Sequence, residues 1–249
     1  MGRWGPSVDM GRRAQVALVA VLGVLTLTLW AYVILRQPSE PSDGAIPPPA
    51  PSSSSTPVAG PTSVLVIGDS YAAGTGASKP ERSWVSLLAD AQGWTVTNDA
   101  RGGTGYLNEV TANDKLACGR KFCPNYGDVL AQASGEDPDV VLVSGGRNDL
   151  SHPSVRAAVI AFYLAARKTF PDAEVLVVSP LWDDDPAPPV LADLAQAVRA
   201  AVAETGATYL DVGQPLRGHP GMVVADGVHP DDKGHEAIFR AVEAALSGG

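Results

Sequence analysis

Four short blocks of this chain gather residue types that could do chemistry together. Gly68-Asp69-Ser70-Tyr71 offers a hydroxyl nucleophile, and Asn98 to Thr104 carries the adjacent glycines Gly102 and Gly103, with Gly105 just beyond. Gly146-Arg147-Asn148-Asp149 offers a side-chain amide, and Asp226-Gly227-Val228-His229-Pro230 places a carboxylate three residues before an imidazole. Acyl chemistry at a hydroxyl needs a nucleophile, a base for its proton and fixed donors at the oxyanion. Each block also has an ordinary use as a turn, a strand end or a helix lead-in. Their placement in the fold therefore decides what they mean.

The elements follow from hydrophobic patterning. Val64-Leu65-Val66-Ile67 is a short β-branched run that ends at Gly68, which reads as a strand buried on both faces. Ser70 then falls at the strand's carboxyl end, the edge where open α/β sheets bind ligands. A helix follows over Ser83–Gln92, with Trp84, Leu87, Leu88 and Ala91 on one face, and Gly93 ends it. Trp94–Asn98 is the second strand candidate. Val140–Val143 repeats the first pattern, running into Ser144-Gly145-Gly146 and so pointing to the same sheet edge. Helices are predicted near Tyr126–Ser134, over Val155–Phe170 with Pro171 after it, over Val190–Thr205 and over Asp231–Leu246. Glu174–Val178 and the segment Gly206–Val212 supply two further strands. Strands alternating with helices through short connections predict a parallel sheet with helices on both faces.

The first sixty residues read differently. Ala14–Leu35 is uncharged and, as a helix, long enough to cross a bilayer core of about 30 Å. Arg3, Arg12 and Arg13 precede it, which keeps residues 1–13 in the cytoplasm, and Trp30 and Tyr32 suit the outer interface. The reading is a single-pass anchor in the cell membrane with the rest of the chain extracellular; secretion after signal cleavage is the alternative. Residues 36–61 are rich in Pro and Ser and poor in large apolar side chains, as a disordered tether is. Residues 62–249 form the globular domain.

The formal net charge is -9 at pH 7, and the region through Gln37 holds four Arg and one Asp, so the domain itself is more acidic still. Such a domain is a poor partner for nucleic acid. Cys118 and Cys123 are the two cysteines, and in an exported chain they are expected to form a disulfide stapling an excursion over residues 107–127. The glycine block lacks the Lys-Ser/Thr ending of a phosphate loop. Asp183-Asp184-Asp185 reads as a solvated loop more readily than as a cation site, and no metal ligand set is expected. His235 is read as structural, and His152 and His219 have no motif around them.

Taken in order, the four blocks resemble the SGNH hydrolase superfamily, also called GDSL esterases and lipases. Tyr71 stands where many members have Leu, and Gly103, five residues after Asn98, is the better aligned of the adjacent glycines. The resemblance covers about residues 62–247. It implies a three-layer α/β/α sandwich with a five-stranded parallel sheet, the flavodoxin-like SGNH hydrolase fold. It also implies a serine esterase or lipase without cofactor. Ser70 would attack an acyl ester, His229 would take its proton, and Asp226 would orient the imidazole. The implied oxyanion donors are the N–H groups of Ser70 and Gly103 and the side-chain amide of Asn148. Asp69 and Asp149 are expected to organise loops. Two other activities fit the same residues. One is an acyltransferase acting on cell-envelope glycan or lipid; the other is an inactive carbohydrate-binding module, for which Trp182 and Tyr106 would be sugar platforms, although such aromatics are more often packing residues.

Overall fold

The computed structural model describes residues 60–111 and 117–248. The expected cytoplasmic segment, the anchor over 14–35 and nearly all of the tether lie outside the described residues. Among the described residues no helix is long and apolar enough to cross a membrane.

Five parallel strands form one sheet in the order β2-β1-β3-β4-β5. They are β1 (Ser63–Gly68), β2 (Thr95–Asn98), β3 (Val140–Ser144), β4 (Glu174–Val178) and β5 (Thr208–Leu210). The chain steps from β1 to one side for β2, then returns to the other side for β3. This reversal is a topological switch point, and open α/β sheets bind ligands beyond the carboxyl ends of the strands there, here β1 and β3. The register fixes it closely, since Gly68 pairs with Ser144 and the two strands end level.

The centre of the sheet is apolar on both sides because both are covered. Helices α1 (Trp84–Gln92) and α5 (Asp232–Ser247) lie on one face with Val64, Val66, Leu142 and Leu176. Helices α2 (Tyr126–Gln132), α3 (Val155–Thr169) and α4 (Pro189–Thr205) cover the other with Leu65, Ile67, Val141 and Val177. This is the expected α/β/α sandwich.

Differences from the sequence expectation sit at element ends and have local causes. Ser83 caps α1 from outside, its hydroxyl accepting the Ser86 N–H at 3.2 Å, so the helix begins at Trp84. Pro189 opens α4 because its missing N–H costs nothing in a first turn. Asp231 caps α5 by accepting from the Lys233 and Gly234 N–H groups. The last strand is shorter than expected because Gly206, at φ +69°, terminates α4, and only three residues remain in register with β4. Edge strand β2 alternates exposed and half-buried positions, as a strand with one partner does.

Candidate active site

Ser70 sits two residues beyond β1, in a tight turn that is itself buried. Its turn is closed by the Ala73 N–H on the Asp69 carbonyl at 2.9 Å and the Thr75 N–H on the Ser70 carbonyl at 2.9 Å. The Asp69 carboxylate is 2 % exposed and accepts the Tyr71 N–H at 3.0 Å. Burial pushes its pKa up to about 6, against the pull of that N–H, of Arg147 and of His229. It organises the turn, as expected. Among the described residues, the Ser70 hydroxyl and the N–H groups of Ser70 and Gly103 carry no hydrogen bond.

Beyond β3, Gly145 (φ +149°) and Gly146 (φ +100°) bring the backbone close to the nucleophile turn. A Cβ on Gly145 would strike the Asp69 carboxylate and the Tyr126 hydroxyl. The chain then enters a single 3₁₀ turn, Arg147–Asp149. The Asn148 Nδ2 donates to the Thr104 carbonyl at 2.9 Å. A carbonyl only accepts, so this bond fixes which side of the amide is nitrogen and leaves its second hydrogen available. Asp149 is fully buried and accepts the N–H groups of Tyr106, Leu107 and Asn108 at 2.7, 2.9 and 2.8 Å. It therefore organises the loop that directly follows the glycine block, the part expected of it. Within that block Gly103 takes φ +77°, and its carbonyl accepts the Asn108 side-chain amide at 2.6 Å.

The Asp226–His229 loop precedes α5. Asp226 Oδ2 lies 2.7 Å from His229 Nδ1. Its other oxygen accepts the Val228 and His229 N–H groups at 2.8 and 2.9 Å. Burial raises the Asp226 pKa, yet the bonds from the His229 ring, the His229 N–H and the Val228 N–H outweigh it and carry the pKa to about 2. An ionised carboxylate only accepts, so Nδ1 bears the hydrogen and a neutral ring keeps its lone pair on Nε2. The ring centroid of His229 lies 6.2 Å from that of Tyr71, the residue after Ser70.

The four blocks are thus joined by direct bonds at one sheet edge. The structure pairs Asp226 with His229 and ties Asn148 to the Thr104 carbonyl, while no hydrogen bond joins Ser70 to His229 among the described residues, and Cys118 and Cys123 are bonded to each other. His235 is buried; its Nδ1 accepts the Trp84 N–H at 3.4 Å and its Nε2 donates to the Thr75 carbonyl at 3.1 Å. Both roles require the neutral ring, and burial lowers its pKa accordingly. Tyr106 is a packing residue, buried among Tyr126, Phe162 and Tyr163 with its hydroxyl 2.6 Å from that of Tyr163. One expectation needs correction. Asp183 is not solvated: it is 6 % exposed and pairs with Arg147 at 2.8 Å, and a buried carboxylate persists only with such a partner. Arg147 and Tyr71 take tasks beyond those expected, and an Arg beside the amide and a Tyr in place of Leu are the signals the sequence carries for them.

A parallel sheet in this order, with a Gly-Asp-Ser turn after its first strand and an Asp-x-x-His loop before its last helix, is the architecture of the SGNH hydrolases. The fold is shared with a lipolytic protein of the G-D-S-L family from Veillonella parvula, at a TM-score of 0.55 and 15 % identity over 75 % of this chain and 98 % of that one. It is shared equally with the psychrotrophic esterase EstA from Pseudoalteromonas, solved inhibited by monoethylphosphonate (TM-score 0.55, 17 % identity, 75 % and 97 % covered). In sequence the chain is 28 % identical over 197 residues to a GDSL lipase of Mycobacterium tuberculosis, covering 74 % of this chain and 81 % of that protein. The chain belongs to the GDSL-like lipase/acylhydrolase family, whose sequence pattern matches residues 66–237.

Proposed function

We propose that this chain is an exported, membrane-anchored serine esterase that cleaves acyl esters through Ser70, His229 and Asp226. The observation that carries the reading is the 2.7 Å pair between Asp226 and His229 Nδ1, which leaves Nε2 as a base at the sheet edge that holds Ser70. In the reaction, Ser70 Oγ attacks the acyl carbonyl carbon as its proton passes to His229 Nε2. The oxyanion is held by the N–H groups of Ser70 and Gly103 and by the free hydrogen of the Asn148 amide. Collapse expels the alcohol, protonated by His229, and leaves an acyl-enzyme. Water, deprotonated by the same imidazole, then releases the acid and restores Ser70. No cofactor takes part.

Support for export comes from the apolar run over Ala14–Leu35 behind Arg12 and Arg13, and from the Cys118–Cys123 bond, which suits an oxidising compartment. The substrates are acyl esters of lipid or of acylated glycan.

The test treats the purified chain with a fluorophosphonate and with p-nitrophenyl esters from acetate to palmitate, beside Ser70→Ala and Asn148→Ala. Wild-type labelling and turnover, absent in Ser70→Ala, are expected. Asn148→Ala should fold normally and lose about 10²- to 10³-fold in kcat, the usual effect of removing one oxyanion donor. Labelling with no release of acid would replace hydrolysis by transfer to an acceptor hydroxyl. A folded wild type that neither labels nor turns over would overturn the enzyme reading in favour of a binding module.

A further inference from the structure

Tyr71 follows Ser70 directly, yet its side chain is almost fully buried at 1 % exposure. Its hydroxyl lies 2.7 Å from Arg147 Nη1 and 2.5 Å from the Val228 carbonyl. The direction of these bonds is dictated by chemistry. A guanidinium has donors only, so Arg147 occupies a lone pair of the phenol oxygen. The single phenolic hydrogen must then go to Val228. Arg147 is held in turn by Asp183 through Nη2 at 2.8 Å, with both side chains under 10 % exposed (9 % and 8 %). Its guanidinium carbon stands 5.0 Å from the Tyr71 ring centroid and 4.2 Å from that of Trp182.

The far end of this chain is the peptide unit that leads into His229. Its carbonyl, from Val228, is taken by Tyr71, and its N–H, from His229, is taken by Asp226 Oδ1. That unit is fixed on both sides, whereas the side chains beyond it are open to solvent: Asp226 is 48 % and His229 23 % exposed. An exposed loop with an exposed carboxylate has little burial of its own to hold an imidazole in place. The Val224 N–H holds the His229 carbonyl at 2.9 Å, and the Tyr71 hydroxyl adds a hold from the buried side.

We infer that Tyr71, oriented by Arg147 and Asp183, is a positioning residue that docks the Asp226–His229 loop onto the nucleophile turn. The inference rests on the esterase reading above. Tyr71 touches no reacting atom; it acts through the Val228 carbonyl on where the His229 ring sits. The ends of β1, β3 and β4 thereby converge on one peptide group of a loop that belongs to none of them.

The test uses the full chain and p-nitrophenyl acetate, comparing wild type, Tyr71→Phe, Asp226→Ala and the double variant, with thermal midpoints measured alongside. Tyr71→Phe keeps the ring and deletes only the hydroxyl. The expected result is a fall in kcat of about 10- to 100-fold with KM within about twofold, as small misplacement of a base produces, and a thermal midpoint lowered by a few degrees, because Arg147 and the Val228 carbonyl each lose a partner. In the Asp226→Ala background the same change should cost less than about threefold, because the loop it serves is already slack. Wild-type turnover with Tyr71→Phe equally active would overturn the positioning inference and leave the esterase standing. A loss of the same factor in both backgrounds would also overturn it, since a general structural role adds independently. A wild type that neither hydrolyses nor labels would overturn both.

Discussion

Asp69 shares a turn with Ser70 and is buried with a pKa near 6, far above its ordinary 3.8, because burial penalises its charge more than Tyr71, Arg147 and His229 relieve it. Between about pH 4 and 6 the folded chain therefore keeps a proton that the unfolded chain has released. Raising the pH through that window favours the unfolded state, and the penalty is complete once both forms are ionised. His235 works in the opposite sense, since burial lowers its pKa and the unfolded chain gains the proton first as pH falls below about 6.5. Asp69→Asn removes only the first effect while keeping an acceptor for the Tyr71 N–H. The thermal midpoint of the variant minus that of wild type should rise from pH 4 to 6 and then level off. Parallel curves would show that Asp69 is not held protonated. The residue scale also marks the limit of what sequence reveals. Asp226 and His229 lie three positions apart, so their pairing is local and legible. Tyr71 and Val228 lie 157 positions apart, and Arg147 and Asp183 36 apart, so their bonds follow only from the fold.

Helix α1 shows how an element positions a site that it does not enter. Trp84, its first residue, is fully buried, and its indole N–H donates to the Tyr71 carbonyl at 2.8 Å. Its own N–H goes to His235 on α5, and His235 reaches on to Thr75 in the nucleophile turn. The two helices on that face thus clasp the turn from outside. Trp84→Ala should destabilise the chain by about 3–5 kcal/mol, the usual result of deleting a buried aromatic. Trp84→Phe keeps much of the volume and strands the Tyr71 carbonyl, at a cost of about 1–3 kcal/mol. Urea unfolding of both checks the order; equal stability of Phe and wild type would mean that the indole bond contributes nothing. The helix was legible from its apolar spacing and from Gly93, but the use of Trp84 as a donor was not, because its acceptor is a backbone carbonyl that only the turn presents. The short 3₁₀ turn at Arg147–Asp149 escaped for a related reason. It is held by Asn148 and Asp149 reaching across to the glycine block, not by any local propensity.

Across the whole molecule the legible part was the alternation of buried strands and helices. The matching glycine ends of β1 and β3 pointed to one sheet edge, whereas the strand order itself came only with the fold. Where the amino-terminal segment ends and the domain begins can be argued from the sheet itself. The Thr62 carbonyl accepts the Thr95 N–H at 2.9 Å, and the Ser63 N–H and hydroxyl both donate to Asp139, each at 2.7 Å. Any shortening past Thr62 would remove the first ties of β1 to β2 and to the segment before β3. A chain beginning at Gly60 keeps them all. It should show the kcat and thermal midpoint of the full chain on p-nitrophenyl acetate, yet be recovered in the soluble fraction of an expressing bacterium, whereas the full chain sediments with membranes and resists carbonate extraction. A full chain recovered soluble, and found by mass to lack its first residues, would replace the anchor over Ala14–Leu35 by a cleaved signal. A shortened chain that folds less stably would move the boundary of the domain towards the amino terminus.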